Sequence, residues 1–364
     1  MKTIILVGGG NNHLYCLKKL IKTNTTEIKW ILISPSQYHY YSGMFSEYIE
    51  DLYSLEKIRI DLKNLCKEAS VDFVESTVLS FDPYQQNLLT DKGEIYSYDY
   101  VSFGIGSKYQ MPAIKGLEKY TPSIKPYSQL PTKIEKLHNS RNSLFIGADS
   151  TSVELALSLR AWKMKNGLSN DQISIVHSAT ALLEEKGRNT SRTITEFAIK
   201  QGLTLYSGQT VQKIENGYAY TKEAKIPFDE VICLAGPVAP PMFRSNPIKT
   251  DNKGFMLVNS SLQSLSFSNI FGVGDCATLV DFSHLPKKGI TAARQGPILW
   301  KNLMRSVEGK ALIPFEPPSR HLSILSVGEK KGMLTYGSFS IVGSWIWRLK
   351  KRMDMRFIKK DSGE

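Results

Sequence analysis

Hydrophobic and polar residues follow one another along this chain in blocks that predict buried strands and amphipathic helices in turn. The segment TIILVGGG, residues 3–10, is an unbroken apolar run that ends in glycines, as in a strand covered on both faces. The segment NHLYCLKKLIK, residues 12–22, has apolar residues at helical spacing, and IKWILIS, residues 28–34, is a second apolar run. Together they predict a strand–helix–strand unit of a parallel sheet.

A second unit of the same kind recurs downstream. The segment SLFIGADSTSVELALSLRAW, residues 143–162, is typical of a strand, a glycine turn and a helix, and QISIVHS, residues 172–178, of the next strand. Segments bearing Pro and Gly near 107–128 and 236–255 bracket this unit. It is therefore predicted to be inserted into the first domain.

From Pro314 the pattern changes and indicates a hairpin around residues 328–332, followed by a helix from about Ser344. The expected fold class is α/β, with a small α+β region at the C-terminus. The predicted segments are a first domain at 1–115 and 251–313, the insertion at 116–250, and the C-terminal region at 314–364.

Composition narrows the classes of protein. The chain has 364 residues, 41% hydrophobic and 22% charged, which is typical of two or three globular domains. No run approaches the roughly 20 apolar residues of a membrane span. The first strand follows Lys2 at once and leaves no room for a signal peptide, so we expect a cytoplasmic protein. The four cysteines, Cys16, Cys66, Cys233 and Cys276, lie far apart, which argues against a zinc site, a disulfide framework and a redox dithiol.

The first glycine turn has the residues needed to bind a pyrophosphate. Gly8 permits a tight turn, Gly10 lets the backbone approach the phosphates, and the following helix N-terminus offers free N–H groups. His13 occupies the place of the third glycine, which serves helix–strand packing, so it alters packing more than phosphate binding. A structural turn without a ligand is the alternative for an isolated motif of this kind.

The second turn departs further from the pattern, because only Gly147 remains of its glycines. Asp149 stands where a carboxylate would repel a phosphate, and either Asp149 or Ser152 is suited to cap the helix instead. Glu154 follows in the first helical turn, as a candidate ligand contact or as a partner of the helix dipole.

Two further strands end in residues suited to a nucleotide. YDYVSFGIGS, residues 98–107, ends in Gly104-x-Gly106, and NIFGVGDCATL, residues 269–279, contains Gly274-Asp275. An aspartate at the carboxyl end of a strand can accept hydrogen bonds from ribityl hydroxyls. Each has an alternative as an ordinary turn, but their order around the two units favours a shared site.

At this point the sequence resembles the flavoprotein superfamily with two dinucleotide-binding folds, in which one Rossmann-like domain holds FAD and an inserted one holds NAD(P)H. Within it the chain resembles the type II NADH dehydrogenase branch, and most closely the dehydrogenase-like module associated with selenide, water dikinase. The similarity covers nearly the whole chain and is carried by LVGGGNNH, SPSQYHYYSGM, IKPYSQL, SVELAL, GVGDCA, LPKKGITAARQGPILWKNL and WRLKKRMDMRF. A histidine after the first glycines is usual in that branch, so His13 is in keeping with a working site.

The resemblance implies a set of FAD contacts: Gly8, Gly9 and Gly10 at the pyrophosphate, Ser34 and Pro35 at the adenosine ribose, Val78 at the adenine, and Gly106, Gly274 and Asp275 along the remainder. Lys287 is implied close to the isoalloxazine, where a cation would stabilise the reduced flavin, with a solvated surface lysine as the alternative. Gly147 and Glu154 are implied at NAD(P)H, with Glu154 at the nicotinamide. His177 and Ser178 replace the acid that selects NADH, which leaves the choice between NADH and NADPH open.

The electron acceptor is implied by what the chain lacks and keeps. Disulfide reductases of the superfamily carry a CxxxxC motif on the flavin face, and YYSGMFSEYIEDLY, residues 40–53, has no cysteine. Type II dehydrogenases line a quinone pocket with two glutamines; Gln295 matches the second, whereas Thr291 replaces the first. Lys287, Gln295 and Glu154 are therefore the candidate catalytic residues, and a quinone is the expected acceptor.

The tail carries independent information on partners. The formal net charge of +12 favours an anionic partner, and residues 341–364 alone hold seven Lys/Arg against three acids. On a helical wheel an apolar face gathers Val342, Trp345, Ile346, Leu349, Met353 and Phe357, with Trp347 and Ile358 off it. A basic amphipathic helix of this kind, at 342–360, favours an anionic bilayer surface. The alternative is a helix packed on its own protein or on the second subunit of a homodimer; nucleic acid is disfavoured because no recognised module accompanies the charge.

The interpretation is an FAD enzyme that takes electrons from NAD(P)H and passes them to a membrane quinone, located at the inner face of the cell membrane. Two alternatives stay open: a soluble NAD(P)H-dependent reductase of a small electron carrier, and a flavin-binding protein without turnover.

Overall fold

The computed structural model describes residues 1–23, 27–110, 112–120, 127–285, 287, 289–318, 322–337 and 339–359. The first 115 residues form β1 (Lys2–Val7), α1 (Asn11–Ile21), β2 (Ile28–Ser34), β3 (Tyr38–Tyr40), α2 (Phe45–Ile49), β4 (Arg59–Asp61), α3 (Leu62–Glu68), β5 (Asp72–Glu75), β6 (Val78–Asp82), β7 (Asn87–Thr90), β8 (Ile95–Ser97), β9 (Tyr100–Phe103) and β10 (Lys108–Gln110).

The middle of the chain forms α4 (Leu117–Tyr120), α5 (Leu130–Asn139), β11 (Asn142–Ile146), α6 (Ser150–Lys165), β12 (Gln172–His177), α7 (Arg188–Lys200), β13 (Thr204–Ser207), β14 (Lys213–Glu215), β15 (Tyr218–Tyr220), β16 (Lys225–Pro227), β17 (Glu230–Cys233) and β18 (Ala235–Val238). The last third forms β19 (Met256–Val258), β20 (Ile270–Gly272), β21 (Ala277–Leu279), α8 (Gly289–Val307), β22 (Leu322–Ser326), β23 (Gly332–Tyr336), β24 (Phe339–Gly343) and α9 (Ser344–Lys359).

The first domain is built on a five-stranded parallel sheet of order β20-β9-β1-β2-β5. Its central strands are buried on both faces: Ile4, Ile5 and Leu6 of β1 are fully enclosed, as the unbroken apolar run predicted. Because all five strands run in one direction, their carboxyl ends lie along a single edge, where parallel sheets bind ligands. The glycine turns after β1, β9 and β20 therefore lie side by side.

The second domain is a four-stranded parallel sheet of order β13-β12-β11-β17. All of its strands come from between β9 and β20 of the first sheet, so the chain leaves one sheet, builds the other and returns. The predicted α/β class and the insertion of the second unit are confirmed. Small antiparallel sheets flank the two domains, including β6-β7-β8 and β14-β15-β16.

The C-terminal region is a three-stranded antiparallel sheet, β22-β23-β24, crossed by α9. The predicted hairpin and the helix from Ser344 are confirmed. Its inner side packs on α6 and α7 of the inserted domain. Among the described residues, no helix combines the length and the apolar character that a membrane crossing requires.

The predicted apolar face of α9 is wrong in detail. Trp347 and Ile358, expected off the face, are buried, whereas Trp345 and Met353, expected on it, are exposed by 56% and 48%. The buried face is completed by Ile346, Lys350 and Asp354. A helical wheel considers apolar side chains alone. Here the ion pair of Lys350 and Asp354 also lies on the buried face. The helix thus packs on its own chain, in agreement with one of the two alternatives to a membrane surface.

Candidate functional site

The turn after β1 depends on glycine at its first and third positions. Gly8 has a φ of +94°, and a Cβ at Gly8 would lie 2.7 Å from the carbonyl oxygen of Gly104. A Cβ at Gly10 would lie 2.9 Å from the same oxygen, and one at Gly9 2.4 Å from Leu62 Cδ1. Gly10 begins α1 without a side-chain cap, so the first N–H groups of this helix face outward from the sheet edge.

His13 fills the space that a third glycine leaves in other turns of this kind. Its Nδ1 lies 2.6 Å from the carbonyl oxygen of Gly8 and its Nε2 lies 2.9 Å from Ser102 Oγ. Since a carbonyl only accepts, Nδ1 donates to Gly8 and Nε2 accepts from the hydroxyl of Ser102. Burial lowers the pKa of His13 to about 4, so the ring is neutral and joins the turn to β9. As predicted, it acts in packing.

The polar atoms around this turn fit a bound dinucleotide. Asn11 Oδ1 and Asn12 Oδ1, in the first turn of α1, are buried without a hydrogen-bond partner among the described residues. His39 hydrogen-bonds the backbone of Gly9, while its Nε2 is buried and has no partner in the described part of the chain. Buried polar atoms are rarely left unsatisfied, and because these atoms are acceptors, the ribose hydroxyls of FAD would supply their partners.

Ser34 and Pro35, predicted at the adenosine ribose, follow β2 beside this turn. A Cβ at Gly9 would lie 3.3 Å from Ser34 Oγ, so the hydroxyl is next to the glycines. The backbone N–H of Ser76 donates to the carbonyl of Ser34 at 3.0 Å, which brings the start of β6 close, and Val78 is its first residue. The structure therefore places the predicted adenosine contacts on one side of Gly8–Gly10.

The predicted contacts for the rest of FAD lie on the other side, after β9 and β20, which are paired in the sheet. Gly106 and Gly274 have φ of +67° and +71°, and a Cβ at Gly106 would meet no atom within 4 Å. Asp275 follows in a short 3₁₀ turn. The backbone N–H of Gly274 donates to Gln295 Oε1 at 2.7 Å, so Gln295, buried in α8, holds this turn in place.

Lys287 lies beside the same turn with its ammonium group already bound. It donates to Thr278 Oγ1 at 2.8 Å and to the carbonyl of Ala277, and Nζ lies 4.3 Å from the centre of the Phe255 ring. Burial lowers the pKa of Lys287. Its charge is thus fixed near Gly274 and is neither a loose surface lysine nor a free group. The side chain of Thr291 lies outside the described residues.

The inserted domain offers a second cradle. Gly147 has a φ of +124°, and Asp149 accepts a hydrogen bond from the backbone N–H of Ser152 at 2.8 Å, which makes it the N-cap of α6. Ser152 Oγ and His177 Nδ1 are buried and have no partner within the described residues. The helix N-terminus and these two side chains fit a nicotinamide dinucleotide, although the capping carboxyl takes the place of one phosphate contact.

Glu154 lies in a buried cluster that the sequence did not predict. Its Oε1 accepts the backbone N–H of Ser326 at 2.7 Å, and Ser326 Oγ donates to Glu47 Oε1 at 2.5 Å. Lys350 donates to both oxygens of Glu47 at 3.0 and 3.1 Å and to Asp354 at 2.9 Å. Burial raises the pKa of Glu154 to about 7, against the opposing effect of Lys350.

Glu47, Ser326 and Lys350 belong to segments 40–53 and 314–364, which sequence reasoning treated as a cysteine-free stretch and a surface region. The only signals were an acid within the apolar segment MFSEYI and the spacing of Lys350 and Asp354 by one helical turn. Neither identifies a partner. The cluster joins the first domain, the inserted domain and the C-terminal region at one point.

A known family matches the part of the chain that contains both turns, the one at Gly8–Gly10 and the one at Gly147. The family model described as pyridine nucleotide-disulphide oxidoreductase matches residues 2–296. The chain belongs to this family. Its members bind FAD and NAD(P)H, and so does this chain. The four cysteines are buried, and none of them forms a disulfide.

Several relatives cover almost the whole chain at low identity. The NADH dehydrogenase-like protein YutJ of Bacillus subtilis is 23% identical and covers 94% of this chain and 95% of its own. A type II NADH:quinone oxidoreductase of Staphylococcus aureus is 22% identical over 100% of this chain and 96% of its own. Human ferroptosis suppressor protein 1 is 21% identical, with coverage of 97% and 93%.

Solved structures agree in fold. The sulfide:quinone oxidoreductase of Aquifex aeolicus superposes with a TM-score of 0.82 at 18% identity, covering 100% of this chain and 92% of that one. NDH2 of Plasmodium falciparum, solved with NADH, has a TM-score of 0.79 at 15% identity, with 98% of each chain covered. The protein is thus an NAD(P)H-dependent flavoprotein oxidoreductase with two dinucleotide-binding domains.

Proposed function

We propose that this protein takes two electrons from NADH and passes them to a membrane quinone, as a peripheral enzyme at the inner face of the cell membrane. Residues 116–250 are the proposed NAD(P)H domain, and 1–115 with 251–313 the FAD domain. The observation that carries the proposal is the meeting of Glu154, from the inserted domain, with Glu47 of the first domain through Ser326. It brings the predicted nicotinamide contact to the junction with the FAD domain.

Each candidate residue has a role that its contacts support. The Gly8–Gly10 turn and α1 would hold the FAD pyrophosphate, Gly106, Gly274 and Asp275 its ribityl end, and Gly147 with Ser152 the pyrophosphate of NADH. Bound FAD supplies the two-electron chemistry that side chains lack. The protein itself needs to align the nicotinamide against it and exclude water.

Lys287 and Gln295 would act around the ring end of the site. The fixed positive charge of Lys287 lies beside Gly274 and favours added negative charge there. The side-chain oxygen of Gln295 accepts the hydrogen bond from Gly274, and its amide nitrogen makes no hydrogen bond to any described residue. That N–H₂ group is suited to donate to a quinone carbonyl. Glu154, with Oε1 held by Ser326, is suited to orient the carboxamide of NADH with its other oxygen.

Both chemistry and similarity favour a quinone as the electron acceptor. The segment that carries redox cysteines in disulfide reductases has none here, so electrons leave without a thiol. Relatives across the full length are named as quinone oxidoreductases. A long-tailed quinone is met only in a membrane, which requires a surface that lies on lipid.

We propose a membrane surface different in composition from the one the helical wheel predicted. The outer face of β22-β23-β24 carries a paired row of Leu322, Tyr336 and Phe339, exposed by 39%, 47% and 58%. Trp345, at the start of α9, is also exposed, by 56%, and lies beside Gly343 at the end of the strand that Phe339 begins. The exposed basic residues of α9 are Arg348, Lys351, Arg352 and Arg356. An apolar patch with aromatic residues beside a basic row suits an anionic bilayer.

The membrane surface is tested by sedimentation with vesicles. The protein should sediment with vesicles containing phosphatidylglycerol and less with pure phosphatidylcholine, and a Phe339→Ser/Trp345→Ser variant should lose most of this binding. Ile95→Ser changes an equally exposed apolar residue of another sheet, 67% exposed, and should bind as wild type. Equal loss in both variants would contradict the assignment of the surface.

The reaction is tested by anaerobic mixing of the purified holoenzyme with NADH, followed by ubiquinone-1 or menadione. The visible absorbance of the flavin should fall with NADH and recover with quinone. A flavin that NADH never bleaches would leave a binding protein without turnover. Bleaching without recovery by quinone, but with recovery by a small acidic redox protein, would favour the carrier reductase.

A further inference from the structure

The C-terminal hairpin, β22 and β23 with the turn between them, reaches into the junction of the two dinucleotide domains. The turn presses on α6: a Cβ at Gly328 would lie 2.8 Å from the carbonyl oxygen of Leu157 and 2.8 Å from Ala161 Cβ. On the other side, the Glu50 carboxyl at the end of α2 accepts hydrogen bonds from the backbone of Glu329 and Lys330. The hairpin thus contacts α2 and α6 together.

Ser326 is the point at which these contacts converge on Glu154. It is 3% exposed, and its two donors go to different domains: the N–H to Glu154 of α6 and the hydroxyl to Glu47 of α2. This N–H is available because β22 is an edge strand and the N–H of Ser326 points away from β23. The next N–H, that of Val327, instead donates to the carbonyl of Lys331 at 3.0 Å and closes the hairpin. Both acceptors are carboxylates, which bind donors more strongly than neutral groups do.

We infer that Ser326 is a positioning residue, which aims the Glu154 carboxyl at the nicotinamide by anchoring its own backbone to Glu47. The inference rests on the proposed contact between Glu154 and the nicotinamide. With Oε1 held by the N–H of Ser326, the second oxygen of Glu154 is left to bind the nicotinamide. The hydroxyl bond to Glu47, itself held by Lys350, keeps that N–H in place.

The charge of the cluster makes this positioning necessary. Glu47, Asp354 and Glu154 surround Lys350, so three carboxyls share one cation in a buried place. Lys350 attracts the Glu154 carboxyl while Glu47 and Asp354 repel it, so these charges alone do not fix its direction. A donor aimed at one oxygen therefore decides where this carboxyl lies.

The test compares two ligands on the holoenzyme by calorimetry: NAD⁺, which carries the nicotinamide, and ADP-ribose, which lacks it. Ser326→Ala should weaken NAD⁺ binding about tenfold, the size expected for one hydrogen bond to a charged group, and leave ADP-ribose binding unchanged. Ser326→Thr keeps the hydroxyl and should restore NAD⁺ binding. Ser323→Ala makes the same change in the same strand, away from Glu154, and should match wild type.

A double-mutant cycle shows whether Ser326 acts through Glu154. In a Glu154→Gln background, Ser326→Ala should change NAD⁺ affinity by less than about twofold. Equal losses for NAD⁺ and ADP-ribose, or a full tenfold loss in the Glu154→Gln background, would overturn the inference while the proposed function stands. If the wild-type protein binds neither ligand, the proposed function itself fails.

Discussion

Removal of the Lys350 charge should destabilise the protein more than any other single change on α9. Lys350 donates to Glu47 at 3.0 and 3.1 Å, to Asp354 at 2.9 Å and to the carbonyl of Gly43. The three charged side chains are only 8%, 2% and 8% exposed. Burial works against the charged form of Lys350, but its carboxylate neighbours raise its pKa above the ordinary range. Lys350→Met would leave Glu47 and Asp354 buried without a cation.

The expected cost is about 3–5 kcal/mol at neutral pH, the range for breaking a buried ion pair by removing one partner. The cost should shrink in acid, because orphaned carboxyls then bind protons. A carboxyl whose pKa is raised in the folded state contributes stability at low pH and loses it as pH rises through that pKa. The difference between Lys350→Met and wild type should therefore be larger at about pH 8 than at about pH 5.

The assay is urea unfolding of the holoenzyme at both pH values, followed by tryptophan fluorescence. Lys351→Met is the matched control, because Lys351 is exposed on the same helix with its ammonium 5.4 Å from the Trp347 ring centre. A Glu47→Gln/Lys350→Met variant should regain part of the loss, since it removes one orphaned charge. If Lys350→Met and Lys351→Met unfold alike at about pH 8, the cluster does not stabilise the fold.

Three further outcomes are expected. Gly8→Ala should abolish FAD retention, measured as the flavin-to-protein absorbance ratio, because its Cβ meets Gly104, whereas Gly93→Ala, with φ +78° and nothing within 4 Å, should keep its flavin. Burial lowers the pKa of His13 from 6.5 to about 4, so the free energy of unfolding, measured with urea, should fall by up to about 3 kcal/mol as pH drops from about 6.5 toward 4; a His13→Gln variant with the same slope would refute this. Glu154, with a pKa raised to about 7, should cost stability as pH rises through 7, and Glu154→Gln should remove that slope in thermal unfolding scans; an unchanged slope would exclude Glu154 as its source.

Much of the fold could be predicted because its signals are local. An unbroken apolar run becomes a parallel strand, and a turn that must admit a phosphate needs glycine, so the turns at Gly8, Gly104–Gly106 and Gly274 and the inserted unit were readable from residues close together in the chain. The packing role of His13 follows from the same turn. These features depend on neighbours that the sequence itself specifies.

Only the tertiary structure decided which charged groups face inward. Lys350 and Glu47 are about 300 residues apart, and whether each is a solvated side chain or half of a buried pair depends on a partner that no local pattern shows. The same holds for Lys287 on Thr278 and for the N–H of Ser326 on Glu154. Burial of a charge is favourable only when the fold supplies its counter-charge or donor at hydrogen-bond distance, so periodicity predicted where α9 begins and ends but misassigned the side that it buries.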